Sequence, residues 1–114
     1  MNVTRFSAAP DYFPPEHFDM RCVRLQGKEA GPSASMIMGC SIIEPGGYIP
    51  LSGSPLEKLY LVIEGEVTVS TATETSVLQR FDSCRIAPDE AREIRNASDK
   101  VAMIVLAMSL VPPA

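Results

Sequence analysis

The chain predicts an all-β fold, a barrel or sandwich, on three observations. Short β-compatible runs recur at close spacing, polar turns or Pro/Gly clusters separate them, and no segment carries helical periodicity of useful length. A length of 114 residues suits one domain and is too short for two well-buried ones.

Taken in order, residues 1–20 are rich in proline and aromatics (Pro10, Tyr12, Phe13, Pro14, Pro15, Phe18) and predict an extended arm, not a helix. Residues 21–114 are the expected barrel domain. Residues 20–25 read as a short strand, and 26–33, with Gly27, Gly31 and Pro32, as a loop. Residues 36–43 are apolar and β-compatible, and Pro45-Gly46-Gly47 then predicts a turn. Residues 58–70 form the clearest strand region, bent at Glu64-Gly65. Lys58, Tyr60 and Val62 alternate with Leu59, Leu61 and Ile63, so the two sets face opposite ways. Beyond the bend Val67 and Val69 alternate with polar residues, 71–74 is a hairpin turn, and 75–78 is the return strand. Three more short strands are expected at 85–87, 93–95 and 101–108, with turns at Pro88-Asp89-Glu90 and Asn96-Ala97-Ser98.

Composition excludes several function classes. Fourteen acids against ten bases argue against a nucleic-acid binder driven by phosphate contacts. No apolar run reaches membrane-spanning length, since 101–111 is interrupted by Ser109 and ended by Pro112. The first residues lack the apolar stretch of a secretory signal. A cytoplasmic location is therefore expected. Cys22, Cys40 and Cys84 form no CxxC pair, and the simplest reading is free, buried thiols in a reducing compartment. His17 is the one histidine, so a multi-histidine metal site cannot be built from a single chain.

The stretch from Gly46 to Gly65 resembles the first motif of the cupin family: Gly, five residues, His-x-His, three or four residues, Glu, six residues, Gly. Both glycines and their spacing are kept, but Ser52, Ser54 and Lys58 stand at the ligand positions. The family's second motif, Gly, five residues, Pro-x-Gly, two residues, His, three residues, Asn, aligns with residues 81–96 in degenerate form. There Phe81 and Asp89 take the glycine positions, Ala87 the proline, Arg92 the histidine, and Asn96 the final asparagine. The resemblance implies a jelly-roll barrel (a double-stranded β-helix) of six to eight strands, open at one end, with four ligand positions pointing inward. All four are replaced here. A hydroxyl is a poor ligand for a transition metal and an ammonium repels one, so neither a metal nor another cofactor is expected.

The replacements carry a chemistry of their own. If Lys58 and Arg92 face the cavity, they need counter-charge, which a small carboxylate or phosphate ligand can supply. Arg92 offers a planar fork and Lys58 a point charge, Ser52 and Ser54 add hydroxyls, and Tyr60 shares a wall with Lys58. A catalytic version of this site uses a desolvated Lys58 as base or Schiff-base nucleophile and Tyr60 as acid, for proton-transfer or lyase/isomerase chemistry. In the alternative arrangement, Lys58 pairs with Glu57, Glu90 or Glu93 and Arg92 extends out of the barrel mouth. The competing function class is a non-catalytic binding, regulatory or assembly module. Cys40 reads as a core thiol, His17 as a packed or exposed side chain, and Met36, Met38, Met103 and Met108 as core filling. Small cupins commonly pair, and the aromatic arm and free strand edges make a homodimer the expected assembly.

Overall fold

The structure, a computed structural model, describes residues 1–111, so the expected domain end at 114 and the stop at Pro112 lie outside the described residues. Nine strands are described: β1 (Asp11–Tyr12), β2 (Phe18–Gln26), β3 (Met36–Ser52), β4 (Lys58–Glu64), β5 (Val67–Thr71), β6 (Thr75–Leu78), β7 (Ser83–Ile86), β8 (Arg92–Arg95) and β9 (Ala102–Ser109). They form one antiparallel sheet in the order β6-β5-β8-β3-β9-β4-β7, with β2 also on β3 and β1 on β2. The sheet curls into a nearly closed jelly-roll barrel.

Two glycines turn the chain from one side of the barrel to the other. Gly65 holds φ at +70°, and a Cβ there would lie 2.8 Å from the Val101 carbonyl oxygen, so only glycine fits the bend between β4 and β5. Those two strands are not paired with each other. β4 lies between β7 and β9, whereas β5 lies between β6 and β8. Gly46, with φ +83°, does the same inside β3.

The turn expected at Pro45-Gly46-Gly47 does not end the strand: β3 runs through it from Met36 to Ser52. Residues 44–47 form a large bulge, because β2 pairs Met20 with Ile43 and Phe18 with Tyr48. Before the bulge β3 pairs with β9, and after it with β8. The remaining boundaries shift slightly. The strand expected at 20–25 begins at Phe18, inside the arm, and the arm itself holds a 3-10 turn at Phe6–Ala8 and the short strand β1.

Strand alternation sorts the side chains as expected. Tyr60 and Val62 of β4 join Ile43, Ile49, Val67, Val69, Ile94 and Ile104 in the barrel core. Full burial of each such side chain is worth about 1.5–3 kcal/mol. Ile63 faces the other way and packs with Met103 and Leu25 against Ala9, Val23 and Cys40, where the arm covers the outside of the sheet. Asn96 is fully buried and ties the turn after β8 together. Its Nδ2 donates to the carbonyls of Ile43 (3.0 Å) and Lys100 (2.7 Å), and its Oδ1 accepts from the Ser98 backbone N–H (3.0 Å) and hydroxyl (2.7 Å).

Candidate functional site

The inward faces of β4, β8 and β9 meet β1 and β2 at the open end of the barrel, around a cavity of about 340 Å³. Lys58, Arg92, Arg24, Leu106 and Met108 line it. The arm segment Tyr12–Pro15 and His17 cross its mouth, and Lys28 and Glu29 stand at the rim. The arm is fastened on both sides of the opening. Tyr12 lies in register with Cys22 of β2 and fits over Gly39, where any Cβ would meet its hydroxyl at 2.7 Å. The Arg24 guanidinium sits 3.7 Å from the centre of the Tyr12 ring. At the far side Phe18 stacks on Tyr48, with centroids 5.0 Å apart.

Lys58 and Arg92 face inward and are buried, at 4% and 7% exposure. The outward alternative from the sequence is therefore set aside. Lys58 Nζ donates to Ser54 Oγ (2.7 Å) and to the Leu56 carbonyl (3.2 Å). Arg92 donates from Nε to the Tyr60 hydroxyl (3.0 Å), and from Nη1 to the Ser52 carbonyl (3.1 Å) and Oγ (3.0 Å). Among the described residues neither cation has a carboxylate within salt-bridge distance. Glu57, a candidate partner for Lys58, pairs with Arg85 outside the barrel instead. Arg24, 5% exposed, is the buried cation that does have an acid, Glu29, at 3.0 Å.

The five residues singled out in the sequence are thus brought together, but in two ranks. Lys58 and Arg92 line the cavity. Ser52, Ser54 and Tyr60 stand behind them and fix their positions without lining it. Burial, then the nearby Arg92 charge, pulls the Lys58 pKa below its usual 10.5. Burial also raises the Tyr60 pKa, against an opposing pull from Arg92, so the phenol stays protonated. Tyr12 is pushed up to about 12 by burial.

Sequence reasoning missed three contributors. His17, read as a bystander, lines the cavity because β1 draws the arm across the mouth. Arg24 and Tyr12 face inward through the parity of β2 and its register with β1. Only strand pairing reveals either arrangement. The residues at the old ligand positions do not fit a metal. An ammonium and a guanidinium offer N–H donors and no lone pair, and no group of three His, Cys, Asp or Glu side chains among the described residues is placed to hold an ion. The three cysteines are free. Cys22 and Cys40 are buried, and burial raises the thiol pKa of both, to about 11 for Cys40.

Comparison with known proteins agrees with the fold. The family model described as Cupin domain matches residues 40–109. Beta-D-galactosidase Rv1717 of Mycobacterium tuberculosis is 35% identical over 109 residues, covering 96% of this chain and 94% of that protein. Solved structures share the fold at lower identity. The polyketide cyclase RemF from Streptomyces resistomycificus superposes with TM-score 0.85 at 13% identity, covering 100% of this chain and 82% of its own. A predicted oxalate decarboxylase from Thermotoga maritima gives 0.78 at 18% identity, covering 97% and 100%. An RmlC-like protein from Shewanella frigidimarina gives 0.79 at 13%, covering 96% and 90%. No helix among the described residues is long and apolar enough to cross a membrane.

Proposed function

The chain belongs to the cupin family, and from that premise we propose that it binds a small organic anion at the barrel mouth without a metal. One observation carries the reading: two buried cations, Lys58 and Arg92, line one cavity, and among the described residues neither has a carboxylate within salt-bridge distance. An unpaired buried charge costs several kcal/mol, so such a pair calls for a ligand that brings the missing negative charge. Arg92 keeps its Nη2 free of protein acceptors among the described residues, and Lys58 has a third N–H beyond its two bonds. Together they present donors to two oxygens of one carboxylate or phosphate. Leu106 and Met108 on the cavity wall suit an apolar body on the same ligand.

Thermal-shift titration with benzoate, 2-oxobutyrate, galacturonate, citrate and inorganic phosphate tests this. At least one is expected to raise the melting temperature of the wild type and not that of Arg92→Met. No response from any of them, or an equal response in the variant, would overturn the reading.

A second reading is favoured by the near-full-length relative whose name is a β-D-galactosidase. Most glycosidases work with two carboxylates about 5–10 Å apart. Among the described residues this cavity presents one, Glu29, and it is held by Arg24. Release of 4-nitrophenol from its β-D-galactoside by the wild type, lost in Glu29→Gln, would establish that activity. No release would leave binding as the function.

A further inference from the structure

We propose that His17 is the proton acceptor of this site, and that its substrate is a small oxo acid enolised at the carbon next to its carbonyl. The inference rests on the anion-binding reading and adds a reaction to it.

The first support is the tautomer. His17 Nδ1 lies 2.7 Å from the Pro15 carbonyl oxygen, which can only accept, so Nδ1 carries the hydrogen. In the neutral ring this leaves the lone pair on Nε2. The second is placement. His17 lines the same cavity as Lys58 and Arg92, on an arm fastened at Tyr12 and Phe18 and stiffened by Pro14 and Pro15. Glu16, at φ +55°, turns the chain just ahead of the ring. The third is the charge around it. Tyr12, Arg24, Lys28, Glu29, Lys58 and Arg92 face the cavity from β1, β2, the rim, β4 and β8. On the arm's other side Asp11 and Arg21 pair with each other at 2.9 Å, beside Cys22. Desolvation and the Arg92 charge hold the imidazole below its usual 6.5, against the Pro15 hydrogen bond, so the ring is neutral and basic at pH 7.

A neutral imidazole lining one cavity with two cations is a set suited to making an enolate. With the substrate carboxylate on Arg92, the C–H bond next to the carbonyl breaks and its proton passes to Nε2. The electron pair forms the C=C bond, and the carbonyl oxygen takes the negative charge against the Lys58 ammonium. Return of a proton from the imidazolium to carbon restores the oxo acid or delivers its isomer. No oxidant, reductant or cofactor enters the balance.

Proton NMR in D₂O tests the step with 2-oxobutyrate, acetoacetate and levulinate as probes. The wild type is expected to erase the signal next to the carbonyl of at least one probe. His17→Gln should slow that exchange at least about a hundredfold. It should keep the thermal shift given by the same probe, and free imidazole should restore part of the rate in His17→Ala. The wild-type rate should climb with pH to a plateau, with the midpoint of the rise below the 6.5 of a free imidazole, as the ring loses its proton. Exchange at wild-type rate in His17→Gln, or no exchange on any probe that binds, would overturn this inference and leave the binding reading standing. Failure of every anion to bind the wild type would overturn both.

Discussion

Replacing Lys58 by methionine should stabilise the ligand-free protein. The ammonium is 4% exposed and has two neutral acceptors and no carboxylate, and Arg92 repels it. Its lowered pKa has a direct meaning: the bonds to Ser54 and Leu56 do not fully repay what the charge loses on leaving water. Methionine keeps the unbranched length, and Lys58 already lies in register with Met108 of β9. Ser54 and Leu56 are only half-buried, so water can take over their acceptors. Exchanging buried ions for hydrophobes of similar volume gains about 1–4 kcal/mol in favourable cases. Allowing for the two lost bonds, a gain of about 1–2 kcal/mol is expected, or a melting temperature higher by roughly 4–8 °C for a domain of this size.

The pH dependence gives this prediction a second edge. Lys58 has a folded pKa below its unfolded 10.5, so between the two values the unfolded chain holds a proton that the folded chain has released. The Lys58 contribution to wild-type stability therefore rises with pH through that window, and its penalty is fully present below the folded value. Lys58→Met lacks this rise, so its advantage should shrink as pH approaches 10.5. Urea melts at pH 7 and pH 10 measure both effects. A variant less stable than wild type by more than about 1 kcal/mol at pH 7, with the same pH slope, would refute the claim of an uncompensated buried charge.

Tyr60→Phe removes the acceptor of Arg92 Nε and leaves a buried charged donor unmet. A loss of about 1–3 kcal/mol is expected in chemical denaturation, with weaker anion binding by titration calorimetry. Asn96→Ala breaks the buried ties to Ile43, Lys100 and Ser98, and should cost about 2–4 kcal/mol in the same assay with no change in the cavity residues. Phe81 is 67% exposed and holds φ +72°, so Phe81→Gly should gain a few tenths to about 1 kcal/mol, read as a higher urea midpoint. We propose that two copies pair through the outward apolar strip of Met38, Leu59, Leu61 and Val105. Light scattering should then give twice the monomer mass for wild type and the monomer mass for Leu61→Lys.

Much of the fold was legible because glycine spacing and strand alternation are local properties. Gly46 and Gly65 mark where the chain passes between the two sides of the barrel, and the parity of 58–63 assigned each side chain its face. The degenerate second motif is also explained by backbone geometry. Phe81 and Asp89, aligned with its glycines, hold φ +72° and +65°, so the left-handed conformation survives without the residue that favours it. The bulge in β3 was not legible. A Pro-Gly-Gly run reads as a turn between strands from the sequence alone, and only the pairing of Met20 with Ile43 and Phe18 with Tyr48 shows one strand carrying on through it.

The site divided along the same line. Motif position offered an inward place for Lys58 and Arg92 beside an outward one, and their burial decides for the inward, whereas His17, Tyr12 and Arg24 reach the cavity through pairings that spacing does not encode. A barrel converges four positions from β3, its following loop, β4 and β8 on one point, whatever side chains occupy them. With imidazoles and a carboxylate there, lone pairs converge and a cation fits. With hydroxyls, an ammonium and a guanidinium there, N–H donors converge, which is the arrangement the proposed anion binding calls for. The serines then serve as acceptors that aim the two cations, which is why Ser52 and Ser54 bond to Arg92 and Lys58 and do not line the cavity themselves. Under the proposed function, substitution at all four positions is a coherent change of charge preference on a retained scaffold.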